Sequence, residues 1–75
     1  MDKQGFLAKF AEQFDDTDPS EIQFSTHFHK LEEWSSLMGM CTIAMAKTEY
    51  DRMITGAEIK ECDTIEDLYD LINSK

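Results

Sequence analysis

The chain has 75 residues with 16 acidic and 7 basic side chains, a formal net charge of -9. A domain this small buries only about 60% of its unfolded surface, enough for a thin core but not for a deep catalytic cleft. The charge opposes binding to nucleic-acid phosphates and to anionic membranes. It suits basic protein surfaces, or it serves solubility alone.

No stretch approaches the roughly 20 apolar residues that span a bilayer. Residues 1–10 alternate charged and apolar side chains, unlike a signal peptide, so a cytoplasmic location is expected, and the acidic net charge suits a monomer. Cys41 and Cys62 are too few and too distant for a disulfide framework and are expected to pack as small apolar groups.

In chain order, Phe6, Leu7, Phe10, Ala11 and Phe14 recur at helical spacing and predict an amphipathic helix over residues 3–14, slightly weakened by Gly5. Pro19 pushes Asp18 out of helical geometry and ends that element. Residues 15–35 read as a long connection pinned by Ile22, Phe24, Phe28 and Leu31. Ser20-Glu21-Ile22-Gln23 resembles a capping box that starts a short helical turn.

A second long helix is expected from Ser36 to Tyr50, with Leu37, Met40, Ile43, Ala44 and Tyr50 on its buried side and Met45 and Ala46 near the edges. Thr55-Gly56-Ala57-Glu58 offers a capping box for a short third helix ending near Cys62. A last helix opens at Asp63-Thr64-Ile65-Glu66 and carries Ile65, Leu68, Tyr69 and Ile72 at three- and four-residue spacing. The expected fold is all-α, one small four-helix bundle spanning residues 1–75. Phe6, Phe10, Phe28, Ile43, Tyr50, Ile54, Ile65 and Leu68 are expected to form its core.

Charge is unevenly spread. Residues 1–35 carry 8 acids against 3 bases and residues 55–75 carry 6 against 2, whereas residues 36–54 are neutral. The middle helix is the neutral, methionine-rich element of an acidic chain.

Phe28, Leu31, Trp34-Ser35-Ser36-Leu37 and the fifteen-residue helical pattern ending in Tyr50 resemble the acyl carrier protein family. Ile54 and Asp63-Thr64-Ile65 extend the likeness over nearly the whole chain. The resemblance implies that Ser36 receives 4'-phosphopantetheine from coenzyme A, and that the arm carries acyl groups as thioesters. It also implies a phosphopantetheinyl transferase and acyl ligase, synthase or acyltransferase enzymes as partners. Helix-start chemistry agrees, because unpaired backbone N–H groups and the helix dipole favour a phosphodiester there. Serine at a helix start can equally be a plain cap.

The chain departs from the family pattern at two places. Ser35 replaces the aspartate before the modified serine, which in the family assists the transferase and its metal. Met38, Met40, Cys41, Ala44 and Lys47 replace the glutamates that dock basic partner surfaces. Trp34, Ser35, Leu37, Met38, Met40, Cys41 and Lys47 are therefore the candidate partner surface, with apolar contact outweighing charge. Trp34 is either a binding hot spot or a residue folded back against the helix. The methionines are likewise open to a core role.

Asp16, Asp18 and Ser20 begin a calcium-loop pattern that fails at Glu21 and His27. His27 and His29, distant from the cysteines, lack zinc-site spacing. No metal site is expected, and no paired acid, base and nucleophile points to an enzyme. The competing function is an unmodified helical interaction module on the carrier fold.

Overall fold

The structure, a computed structural model, describes residues 2–75. Four α-helices follow one another: α1 (Lys3–Ala11), α2 (Ser36–Tyr50), α3 (Gly56–Lys60) and α4 (Ile65–Asn73). Two 3-10 turns, Pro19–Glu21 and Phe28–Lys30, interrupt the long connection between α1 and α2. The described residues contain no strand. Their principal-axis extents are 28 × 24 × 19 Å.

The chief helix pairings are α1 on α4 and α2 on α3. Phe6 links three elements: its ring centroid lies 5.4 Å from Tyr69 on α4, 6.1 Å from Tyr50 on α2 and 6.2 Å from Phe10. Phe6, Phe10, Phe28, Ile65, Leu68 and Ile72 are fully buried. Ile54 is buried as expected, while Ile43 and Tyr50 are half-buried at the margin of the cluster.

α1 stops at Ala11 instead of residue 14. The next residues tighten into bonds that span three residues, Gln13 N–H to Phe10 O at 3.2 Å and Phe14 N–H to Ala11 O at 3.0 Å, with Phe14 still buried. Such tightening satisfies terminal carbonyls that lack a partner further along. Asp18 is extended (φ -62°, ψ 130°), as its proline neighbour requires. Asp18, not Ser20, caps the following turn by accepting from Ser20 N–H at 2.9 Å. The expected capping box at Ser20 is therefore absent, and the Gln23 side chain donates back to Ser20 O.

The cap of α3 is the expected one, and α4 opens within the expected residues 63–66. Thr55 and Glu58 form a reciprocal box on α3, and Thr64 with Asp67 forms another on α4. α2 ends at Asp51 in the left-handed region (φ 54°), where short polar residues are tolerated. Arg52 N–H then bonds back to Ala46 O, closing a Schellman-type end.

The buried side of α2 is only in part the one expected, with Ile43 and Tyr50 half-buried against the core. Leu37, Met40 and Ala44 face outward, and Thr42, Met45 and Ala46 face the core. Apolar residues surround this helix, so their spacing carries little directional signal. Thr42 tolerates burial because its hydroxyl donates to Met38 O at 2.9 Å within the same helix.

Candidate functional site

Ser35 and Ser36 divide the work at the start of α2. Ser35 is extended (φ -153°, ψ 175°) and its hydroxyl accepts from Met38 N–H at 3.4 Å, so Ser35 is the cap. Ser36 is the first helical residue and is exposed. Its hydroxyl has no hydrogen-bond partner among the described residues. The plain-cap role belongs to its neighbour.

Glu33 fixes the approach to this serine pair. Its carboxylate accepts from Asp15 N–H (2.8 Å), Asp16 N–H (3.0 Å) and the Thr17 hydroxyl (2.7 Å). These donors, the Thr17 hydroxyl first, hold its carboxyl below the ordinary glutamate range. The sequence reading missed this clamp. The signal was present in Asp15-Asp16-Thr17, a turn whose backbone donors need an outside acceptor.

Trp34 folds inward. Its ring lies 4.8 Å from Phe28 in an edge-to-face arrangement, 5.7 Å from His29 and 6.2 Å from Phe10. Trp34 packs half-buried against the core, with one edge on a cleft. That cleft, about 300 Å³, runs between the start of α2 and α3 and is lined by His29, Trp34, Ser35, Ser36, Gly39, Met40, Ile43, Gly56, Ile59 and Lys60. His29 Nε2 lies 3.1 Å from Ile59 O and joins the long connection to α3 at this cleft.

Two other hollows differ in character. The larger, about 450 Å³, is lined by Asp16, Glu21, Glu32 and Glu33 with Thr17 and Leu31, a surface that repels phosphate. The second lies between α1 and α2 beside Lys9, Gln13, Cys41 and Glu49. The cleft at Ser36 is smaller than either, yet it joins apolar walls to a free hydroxyl and has no acidic side chain.

The candidate partner surface divides as well. Leu37 and Met40 are exposed at 68% and 67%, and Cys41 lies beside them at the surface. Lys47 is exposed and paired with Asp51 at 2.9 Å. Met38 instead packs half-buried against the core, so it does not belong to the exposed stripe. Cys41 likewise departs from the expected buried packing, because it sits on the outward side of α2 with Leu37 and Ala44. Cys62 does pack inward, and burial above all pushes its thiol up to about 11. Sequence reasoning also missed Gly39, Gly56, Ile59 and Lys60, which meet only when α3 folds against α2.

Compared with protein-family models, curated proteins and solved structures, the chain gives no match. No helix of the described residues is long and apolar enough to cross a membrane.

Proposed function

We propose that this chain is a divergent acyl carrier protein: Ser36 accepts 4'-phosphopantetheine from coenzyme A through a phosphopantetheinyl transferase, and the arm carries acyl groups for fatty-acid, lipid or secondary-metabolite synthesis. The observation carrying this reading is the free hydroxyl of Ser36, first residue of a fifteen-residue helix, with the cap supplied by Ser35.

The residues around Ser36 fit the group. A phosphodiester on its oxygen meets the partner-free N–H groups and positive end of α2. No carboxylate lines the adjoining cleft to repel it. When bound, the arm supplies a thiol that forms thioesters with acyl groups. The chain itself presents the arm, and its cleft shields a small cargo with Trp34, Met40, Ile43 and Ile59. It catalyses no step.

Partner enzymes, whether ligase, synthase or acyltransferase, dock on the outward stripe of Leu37, Met40 and Cys41 beside Ser36. That stripe is apolar, so the contact depends little on salt, because screening weakens charge pairs and leaves apolar burial intact.

The test is intact mass after treatment with coenzyme A and a phosphopantetheinyl transferase. The wild-type and Ser35→Ala chains should gain the arm, and Ser36→Ala should not. Gain by Ser36→Ala overturns the assignment. A second reading, an unmodified interaction module, is favoured by the same exposed Leu37 and Met40. It predicts no mass gain in any chain, with partner binding kept by Ser36→Ala.

A further inference from the structure

The cleft beside Ser36 inverts the charge of the molecule. The chain as a whole is at -9. Yet the ionisable side chains lining this cleft are Lys60 and His29, with no acid among them. The other hollows carry Asp16, Glu21, Glu32 and Glu33 in one case, and Glu12 and Glu49 with Lys9 in the other.

Lys60 is also uncommitted. Lys3, Lys9, Lys47 and Lys75 are paired with Glu66, Glu49, Asp51 and Glu58. Arg52 donates to Ile72 O and Asn73 O at the end of α4. Among the described residues only Lys30 and Lys60 have neither kind of partner, and Lys60 alone lines the cleft. Glu58, which also lies on α3, is engaged by Lys75 at 2.6 Å and not by Lys60. An exposed ammonium without a partner, at the lining of a cleft with apolar walls, can pair with an anion that enters from outside.

Size narrows the choice. At about 300 Å³ the cleft lies at the bottom of the roughly 300–1,000 Å³ range of small-molecule sites. Neither Gly39 nor Gly56 fills it. A Cβ at Gly39 would meet only Trp34 Cζ2 at 3.8 Å, and one at Gly56 would meet nothing within 4 Å.

We propose that the cleft takes a compact acyl group ending in a carboxylate, with Lys60 as the residue that selects it over a neutral group of equal length and over an aminoacyl group. As the identity of a carried cargo, this rests on the carrier reading above. The apolar walls hold the short methylene segment, Lys60 pairs with the distal carboxylate, and a cationic cargo is repelled.

The probes are S-succinyl-, S-butyryl- and S-(γ-aminobutyryl)-pantetheine, all without phosphate, so no response can come from a phosphodiester. They are titrated into the unmodified, ¹⁵N-labelled chain while the amides of Gly39, Ile59 and Lys60 are followed. The succinyl probe should bind about two- to fivefold more tightly than the butyryl probe, the range for an exposed ion pair, with the aminobutyryl probe weakest. Lys60→Gln should erase the ranking, whereas Lys30→Gln should preserve it, with α4 signals unmoved in both as a check on the fold. Equal affinities, absent shifts at these amides, or a ranking that survives Lys60→Gln would overturn the assignment. Intact mass with coenzyme A and transferase reports separately on whether Ser36 is modified, so the two ideas fail independently.

Discussion

His29 Nε2 stands 3.1 Å from the carbonyl oxygen of Ile59 and ties the long connection to α3. The same imidazole lies 4.2 Å from the Phe28 ring and 5.7 Å from Trp34. One side chain thus couples the aromatic cluster to the cleft at Ser36, and the packing behind that cleft decides how well it is shaped.

Phe28 is the anchor of that packing. It is fully buried against Phe10 and Trp34, with centroids at 6.1 and 4.8 Å. Phe28→Ala should cost about 3–5 kcal/mol, against a total of about 5–15 kcal/mol for a small domain. Urea unfolding followed by circular dichroism should show a collapsed midpoint. An unchanged midpoint would mean that the connection is not pinned there.

The outward and inward methionines of α2 should respond differently to charge. Met40→Glu places a carboxylate in solvent and should change stability by no more than about 0.5 kcal/mol. Met38→Glu pushes one against the core and should cost about 1–3 kcal/mol. Thermal midpoints of the two variants check the assignment, and equal midpoints would contradict it.

Glu33 ties its clamp to pH. Its folded pKa is depressed, chiefly by the Thr17 hydroxyl, below an unfolded value of about 4.3. The clamp therefore contributes fully above that value and is lost as pH falls through the folded pKa. Glu33→Gln should lower the thermal midpoint at pH 7 and flatten its decline below about pH 4. A decline as steep as that of the wild type would place the acid sensitivity on other groups, such as Asp67, which Thr64 N–H depresses.

Gly39→Ala should stabilise the chain. The position is inside α2, and the added methyl meets Trp34 Cζ2 at an ordinary 3.8 Å. The gain expected from the helix interior is about 0.5–1 kcal/mol. Differential scanning calorimetry should show a higher midpoint, and a lower one would mean that the ring has no room to accept the contact.

The two thiols should separate cleanly. Cys41 is exposed, while the Cys62 thiol is buried and raised to about 11, leaving almost no thiolate at neutral pH. A thiol reagent should label one cysteine in the native chain and both in denaturant, read by mass. Rapid native labelling of Cys62 would place α3 in frequent opening.

Much of the fold is legible in the sequence. α2 runs from Ser36 to Tyr50 as expected, and the caps at Thr55 and Thr64 announce α3 and α4 through side chains three residues apart. α4 shows its buried face plainly because Ile65, Leu68, Tyr69 and Ile72 stand against acids on the other side. α2 does not, since Leu37, Met38, Met40, Ile43 and Met45 point in nearly every direction, and only packing decides among them. Likewise Ser36 could be singled out by its neighbours in sequence. Lys60, Ile59 and Gly56 could not, because their place beside it depends on a tertiary contact and no local pattern encodes one.

Trp34 is the single tryptophan of the chain, and it belongs at once to the Phe10–Phe28 cluster and to the wall of the cleft. The molecule therefore carries its own optical probe. Its indole emission reports unfolding of the aromatic cluster and filling of the cleft with no label attached, and the two signals part under denaturant, which abolishes the first and leaves nothing for the second to occupy.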